Sequence, residues 1–328
     1  MGGQLGFIVN QITFKPKPLP ADIRFDNQTA IVTGSNVGIG LESARQLTSH
    51  GISHLILGVR DTTKGDAAQA DIQKSNPKCN IKVWQLDLES FDSIVSFADR
   101  AKSLDRLDIA IMNAAIKQLK FTTSPYGHES NLQVNHLGTA LLSLLLLPTL
   151  RKSSKKNGIP SRLTFSSSEV HFWTPFNEKS APKILERMDR KESFTNGMER
   201  YYTSKLLNVF WFRELASRID AAEVIINGTN PGFCATQLHR HDHSQGFKIL
   251  AKLLAWSSEQ GAYFLLDAAV TKKDESHGAY IQEQKITPPS KFVLSSQGKA
   301  VQKKLWAETI EVLKKECPNV MFDNVTNS

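Results

Sequence analysis

Six short apolar runs punctuate the chain up to residue 227: Thr29–Thr33, His54–Val59, Ile81–Leu86, Ile109–Met112, Arg162–Ser166 and Val224–Asn227. The first four and the last lack clean polar alternation, as strands covered on both faces do. Between them, apolar residues recur with the helical period near 39–50, 64–74, 90–103, 127–151 and 200–220. This alternation predicts an α/β fold: one parallel sheet with right-handed crossovers and helices on both faces. Beyond Pro231 the rhythm changes. Residues 234–256 carry His and Lys without a strand, and helices are predicted near 258–270 and 296–315. We read these as a lid and closing elements of one domain spanning 27–316. Ahead of it, residues 1–26 include Lys15-Pro16-Lys17-Pro18-Leu19-Pro20, whose alternating prolines predict an extended arm. Residues 317–328 read as a C-terminal tail.

Composition changes this picture little. The 328 residues suffice for one large α/β domain, and 40% apolar with 22% charged residues excludes a disordered or fibrous chain. A net charge of +8 raises the question of nucleic acid. The densest basic group, Arg151, Lys152, Lys155 and Lys156, has no interleaved aromatics to stack bases, so no nucleic-acid partner is expected. The charge reads instead as a solvated loop and a mild field favouring an anionic cofactor. Cys79, Cys234 and Cys317 are widely spaced and odd in number, which fits a reducing compartment and argues against a disulfide frame or structural zinc. The start MGGQLGFIVNQ lacks a basic region and a sustained apolar stretch, so no signal peptide is expected, and Gly6 stands where myristoylation after Gly2 wants Ser or Thr. The apolar run Leu137–Leu147, followed by Pro148, is too short to span a bilayer and reads as a buried helix. A cytoplasmic protein with no membrane partner is the expectation. The same run and the 200–220 helix leave a homodimer open, because such a face serves either a second copy or the core.

Candidate chemistry begins after the first strand, where Thr33-Gly34-Ser35-Asn36-Val37-Gly38-Ile39-Gly40 leads into a helix. Glycines let the backbone turn tightly and approach a diphosphate, and the helix N-terminus offers free N–H groups to the anion. A glycine-rich turn alone is a weak signal; its place between strand and helix is what makes it specific. At the end of the second strand stands Arg60. An acid there would bind the ribose hydroxyls of NAD, whereas arginine suits the extra phosphate of NADP, with Lys64 within reach from the next helix. Asp61 follows directly, so a plain surface Arg–Asp pair is the alternative. In the 200–220 helix, Tyr201 and Lys205 lie one turn apart on one face. A phenol titrates near pH 10, and a neighbouring ammonium is expected to lower that value into the range of acid–base catalysis. Tyr202 competes for the role, but four residues on it meets Leu206, which brings no charge.

Taken together, these residues resemble the short-chain dehydrogenase/reductase family from about Thr29 to Thr236, with weaker echoes to Trp306. The family's TGxxxGxG is matched by Thr33–Gly40 and its YxxxK by Tyr201–Lys205. Its adenine-holding Asp-Leu is matched by Asp87-Leu88, and its Pro-Gly by Pro231-Gly232, with Thr236 beyond. The family's NNAG becomes Met112-Asn113-Ala114-Ala115, a departure at its first and last positions. Its helix asparagine maps to Asn135, and its catalytic serine to Ser168, with Ser167 as the fallback. Arg60-Asp61-x-x-Lys64-Gly65 and Leu305-Trp306 look like the retinol-dehydrogenase branch. Asn230-Pro231-Gly232-Phe233-Cys234 looks like fungal members that tailor polyketides and terpenoids. The resemblance implies a Rossmann-type doubly wound parallel sheet and an NADP(H)-dependent oxidoreductase interconverting a ketone and a secondary alcohol. Gly34, Ser35, Asn36, Gly38, Ile39, Gly40 and Asn113 would hold the cofactor with Arg60, Lys64, Asp87 and Leu88. Ser168 and Tyr201 would bind the carbonyl oxygen, Lys205 would tune Tyr201 and bind the nicotinamide ribose, and Asn135 would hold a proton-relaying water.

The long stretch 169–199, with His171, Phe172, Trp173, Pro175 and Phe176, reads either as a wall of a roomy apolar substrate pocket or as an insertion packing on itself. Non-redox use of the fold, as an isomerase, dehydratase or cyclisation catalyst, and a nucleotide sensor are the competing functions. Two decoys carry less. His239, His241, Asp242 and His243 form a polar cluster without a second ligand group, so no metal is expected. The serines near 153–168 with His171 lack a GxSxG elbow.

Overall fold

The computed structural model describes residues 4–239 and 251–322. The eight strands β1 (Thr29–Thr33), β2 (His54–Val59), β3 (Asn80–Gln85), β4 (Ile109–Met112), β5 (Ser161–Ser166), β6 (Val224–Thr229), β7 (Tyr280–Gln282) and β8 (Lys285–Thr287) form a single sheet. Their order is β3-β2-β1-β4-β5-β6-β7-β8, parallel throughout except for β8. The fold is the doubly wound α/β architecture that the apolar pattern predicts. In β1 the alternation of faces is explicit: Ile31 joins one core cluster, while Ala30 and Val32 join the other, and all three are fully buried. Helices α2 (Gly38–Ser49) and α3 (Thr62–Ser75) cover the second cluster. Helices α4 (Phe91–Lys102), α5 (Ser130–Asn157), α6 (Gly197–Ala216) and, near the end, α8 (Ser296–Glu316) cover the first. Between α6 and α8, α7 (Ser258–Leu266) packs on α2, opened by a capping box of Ser257 and Gln260.

Helix α5 is long and apolar enough to cross a membrane by length and composition, yet nearly all of it is buried inside the fold. Leu141, Leu142 and Leu146 are wholly enclosed, so the face that served either a second copy or the core serves the core. An α-helical ladder relaxes at Gln133–Gly138 into a π-turn, which becomes important below.

Three features depart from the sequence reading. Residues 1–26 are not extended throughout: Gln4–Thr13 form helix α1. Prolines begin only at Pro16, so nothing upstream forbids helix, and Phe7, Gln11 and Phe14 recur at helical spacing on the face turned to the protein. The segment Lys15–Pro20 has no regular structure, as its prolines dictate. Secondly, the hairpin β7–β8 was not foreseen. Its turn is Glu283-Gln284, both left-handed at φ of 52° and 56°, a two-residue turn normally announced by Asn-Gly. Thirdly, the domain does not stop at residue 316, because Cys317 and Phe322 are buried against the first cluster. Of the stretch read as a lid, 234–256, residues 240–250 lie outside the described residues, as do His241, Asp242, His243 and the side chain of His239.

Candidate active site

Residue positions at the carboxyl ends of β3, β2, β1, β4, β5 and β6 line one cavity of about 600 Å³, where an open doubly wound sheet places its ligand. At the end of β1 the chain turns through Gly34 (φ +65°) and Gly38 (φ +59°), a region L side chains rarely adopt. Gly40 is needed for another reason. A Cβ there would stand 2.4 Å from the Gly34 carbonyl oxygen and 2.5 Å from Asn113 Nδ2. Asn113 stitches this turn to β4: its Nδ2 donates to the carbonyls of Thr33 (3.0 Å) and Gly34 (3.4 Å). The backbone N–H groups of Asn113 and Ala114 donate to Thr33 Oγ1. The first asparagine of the family's NNAG is Met112 here, and its side chain is buried in the core, where an apolar residue fits.

Helix α2 starts beside the cavity with no side chain capping its N-terminus, and the buried hydroxyl of Ser35 has no partner among the described residues. Open N–H donors and left-handed glycines make a cradle for a diphosphate, so the residues fit a dinucleotide. Gly34, Asn36, Gly38 and Ile39 face the cavity, while Ser35 and Gly40 build the turn from behind. Thr236 lies against Gly38, 3.5 Å from where a Cβ on that glycine would be, and lines the cavity with Pro231 and Gly232.

Arg60, Asp61 and Lys64 line the cavity after β2, and Asp87 and Leu88 after β3. Asp61 has a local structural role. It is the N-cap of α3, its carboxylate accepting from Lys64 N–H (3.2 Å) and pairing with Lys64 Nζ (3.1 Å). The Lys64 backbone and side-chain hydrogen bonds hold its carboxyl below the usual range. Arg60 is exposed and is not the partner of Asp61 in that pair.

Ser168, Tyr201 and Lys205 converge on the same cavity. Ser168, two residues past β5, is the N-cap of a 3-10 turn, and Ser167 beside it is buried with no hydroxyl partner among the described residues. Both serines line the cavity, so the fallback stays in play geometrically. Tyr201 and Lys205 stand one turn apart on α6, with Nζ 5.9 Å from the phenol ring centroid and donating to the Ser166 carbonyl (2.9 Å). The electrostatics differ from the sequence expectation. Burial pushes the Tyr201 phenol well above its ordinary value and brings Lys205 down to about 8. Desolvation outweighs the attraction between ammonium and phenolate at this separation. The phenol therefore keeps its proton at neutral pH, which is the form that protonates an oxygen gaining hydride.

Asn135 does not face the cavity. Its Oδ1 accepts from Ile116 N–H (2.8 Å), and its Nδ2 donates to the Ile116 carbonyl (2.9 Å) and Ser204 Oγ (3.0 Å). Its own carbonyl, within the π-turn, accepts from Asn208 Nδ2 at 2.6 Å. Through these bonds the Asn135 carboxamide ties the loop after β4 to the Tyr201 helix.

His171 pins the serine loop rather than activating a serine. Its Nδ1 donates to the Ser168 carbonyl (2.7 Å), and its Nε2 accepts from Ser290 N–H (3.2 Å). Burial lowers it to about 4, and lowers His136, which bonds Thr309, to about 3. Both imidazoles must stay neutral in the fold yet charge near pH 6.5 when unfolded. Stability is therefore complete above pH 6.5 and falls as pH drops from there towards 4, where the unfolded chain binds the extra protons. Denaturant titrations at pH 7.5 and 5 should show a loss of a few kcal/mol, about half of it removed in His171→Asn. Unchanged stability across that interval would contradict the neutral assignment.

The sequence reading missed Phe7 and Lys117 as cavity residues, while Tyr202, the competitor of Tyr201, lines the cavity too. Phe7 was hidden by the assignment of its segment as an arm. Lys117 is almost fully buried at a position carrying no motif. Trp173, foreseen as one wall of a pocket, does line the cavity, edge-on to Tyr202 with centroids 5.8 Å apart. Among the described residues no group of His, Cys, Asp and Glu is arranged to hold a metal.

A sequence model of the short chain dehydrogenase family matches residues 28–159. Short chain dehydrogenase sol3 of Alternaria solani is 56% identical over 286 residues, covering 87% of this chain and 99% of that protein. Short chain dehydrogenase/reductase mfmJ of Annulohypoxylon moriforme is 38% identical over 310 residues, covering 93% and 90%. Among solved structures, salutaridine reductase from Papaver somniferum superposes with a TM-score of 0.60 at 22% identity, over 77% of this chain and 99% of that one. A short-chain dehydrogenase from Sphingobium yanoikuyae in complex with NADPH gives 0.59 at 18%, over 85% and 95%. The chain is an oxidoreductase of the short-chain dehydrogenase/reductase family.

Proposed function

We propose that this enzyme uses NADP(H) to interconvert a ketone and a secondary alcohol on a bulky hydrophobic small molecule, a fungal secondary metabolite of polyketide or terpenoid type. The observation that carries the reading is one cavity lined by the glycine turn, by Arg60 and Lys64, and by Ser168, Tyr201 and Lys205. The cofactor, when bound, supplies or accepts the hydride. Ser168 Oγ and Tyr201 Oη orient the carbonyl oxygen by hydrogen bonds, and Tyr201 delivers the proton that completes the alcohol. Lys205 holds the nicotinamide ribose, and its ammonium stabilises the phenolate left when Tyr201 gives up its proton, which solvent then restores. Asn135 keeps that helix in register with the loop after β4. An NADPH preference would favour reduction as the working direction. The three cysteines, all buried and free, suit the reducing cytoplasm.

Preference for NADP rests on Arg60. With Asp61 engaged at the α3 N-cap, Arg60 is the exposed cation at the β2 end, where the 2′-phosphate would lie. Arg60→Ala should raise KM for NADPH about 10- to 100-fold while leaving that for NADH within about twofold. Loss of 340 nm absorbance with a panel of apolar ketones, run with each cofactor, tests both activity and preference. No ketone-dependent oxidation of either cofactor would overturn the reading.

A further inference from the structure

Helix α1 lies outside the segment that carries the family motifs, yet Phe7 reaches the catalytic cavity. Its ring meets Trp173 edge-on at 5.5 Å and 83°, and Phe233 at 6.3 Å and 63°. All three rings line the cavity. The helix is fixed there by Gln11, only 5% exposed, whose Nε2 donates to the carbonyls of Phe233 (2.8 Å) and Leu254 (2.9 Å). Its Oε1 accepts from Phe233 N–H (3.3 Å). One glutamine thus ties α1 to both ends of the 233–254 segment. A second tether holds the strap that follows, with the Gln284 side chain bonding both the N–H and the carbonyl of Lys17 at 2.9 Å. This is more fixing than a loose arm needs.

We propose that α1 is a substrate-specificity element, and that Phe7, Trp173 and Phe233 form an aromatic subsite for the rigid apolar ring system of the ketone. Flat walls meeting nearly at right angles receive a fused ring on its face and edge, with no rotatable bonds to freeze. A linear chain of equal carbon number loses conformational freedom to fill the same corner. The proposal rests on the ketone-reductase reading and adds the chemical class of the substrate and the element that selects it. Gln11 is a positioning residue for that subsite.

The test compares ten-carbon ketones, 2-tetralone and 2-decalone against 2-decanone, with NADPH and the full-length chain. Wild type should favour the bicyclic ketones in kcat/KM. Phe7→Ala should raise KM for the bicyclic ketones about tenfold, leave kcat and the constants for 2-decanone nearly unchanged, and leave NADPH affinity intact. Gln11→Ala, which keeps Phe7 but frees the helix, should show the same KM-only split. Binding of 2-tetralone with NADP+ present, read by fluorescence quenching that Trp173→Phe removes, gives a result independent of turnover. Equal effects of Phe7→Ala on all three ketones, or 2-tetralone binding that is absent in wild type or indifferent to Phe7, would overturn the subsite. If instead 2-tetralone binds in a Phe7-dependent way but no ketone oxidises NADPH, the subsite stands and the reductase reading falls.

Discussion

Tyr201→Phe should bind NADPH as wild type does and turn over about 10³-fold more slowly. The phenol sits on the cavity with only 7% of its surface exposed, and the aromatic ring, which phenylalanine keeps, provides the packing. What is lost is the one proton donor on α6 that both lines the cavity and has a lysine a turn away. Tyr202 cannot replace it, being half-buried and turned edge-on to Trp173. The melting temperature should stay within a few degrees, so a lost rate is not a lost fold. The decisive comparison sets the dissociation constant for NADPH, from nucleotide fluorescence, against ketone-dependent absorbance loss on the same preparation. A variant turning over within about threefold of wild type would remove Tyr201 from the chemistry.

The raised phenol changes what Lys205 is for. A free ammonium one turn away was expected to make Tyr201 more acidic, an argument drawn from spacing alone. Spacing fixes proximity but not dielectric. Enclosed on α6 beneath the cavity, both groups are driven towards neutrality, the phenol up and the lysine down to about 8. A neutral phenol is no obstacle to reduction, because the oxygen it protonates becomes far more basic as hydride arrives. A phenolate would be required only for alcohol oxidation, which should therefore gain rate with pH more steeply than ketone reduction does.

How far the sequence carried the reading follows from which forces act locally. β1, β2 and β4 have the boundaries that their apolar runs announce, because a strand buried on both faces cannot hide its composition. The glycine turn, Asn113, Ser168, Tyr201 and Lys205, which the structure brings to one cavity, were legible because each motif residue serves a backbone or proton requirement with few substitutes. Tertiary decisions were invisible. Helix α1 has helical spacing but is held by partners of Gln11 and Phe14 more than 200 residues away, which the local pattern does not name. The β7–β8 turn uses Glu283-Gln284, residues with no turn signature, held by the strands they join. The partners of Asn135 were equally hidden, since Ile116, Ser204 and Asn208 meet it only in the folded chain.

Gly40→Ala should abolish cofactor binding, raising the NADPH dissociation constant by at least about 100-fold, or roughly 2.7 kcal/mol. Ordinarily this exchange inside a helix stabilises, by about 0.5–1 kcal/mol, because alanine has less backbone freedom to lose. Here the added methyl would stand 2.4 Å from the Gly34 carbonyl oxygen and 2.5 Å from Asn113 Nδ2. Neither neighbour can yield cheaply. Gly34 is held by its N–H to the Gly58 carbonyl (2.8 Å), and Asn113 Nδ2 is bonded to Thr33 and Gly34. The turn must open, and opening it displaces the same N–H groups that would face the diphosphate. Gly158→Ala separates this effect from a general cost of losing glycine. Gly158 caps α5 in a left-handed conformation, φ +69°, with nothing within 4 Å of a Cβ. That variant should lose about 1 kcal/mol of stability and bind NADPH normally. Calorimetric titration of both variants, with melting curves alongside, distinguishes a collapsed cradle from a weakened fold. Normal NADPH binding by a folded Gly40→Ala protein would mean that the turn after β1 does not hold the cofactor.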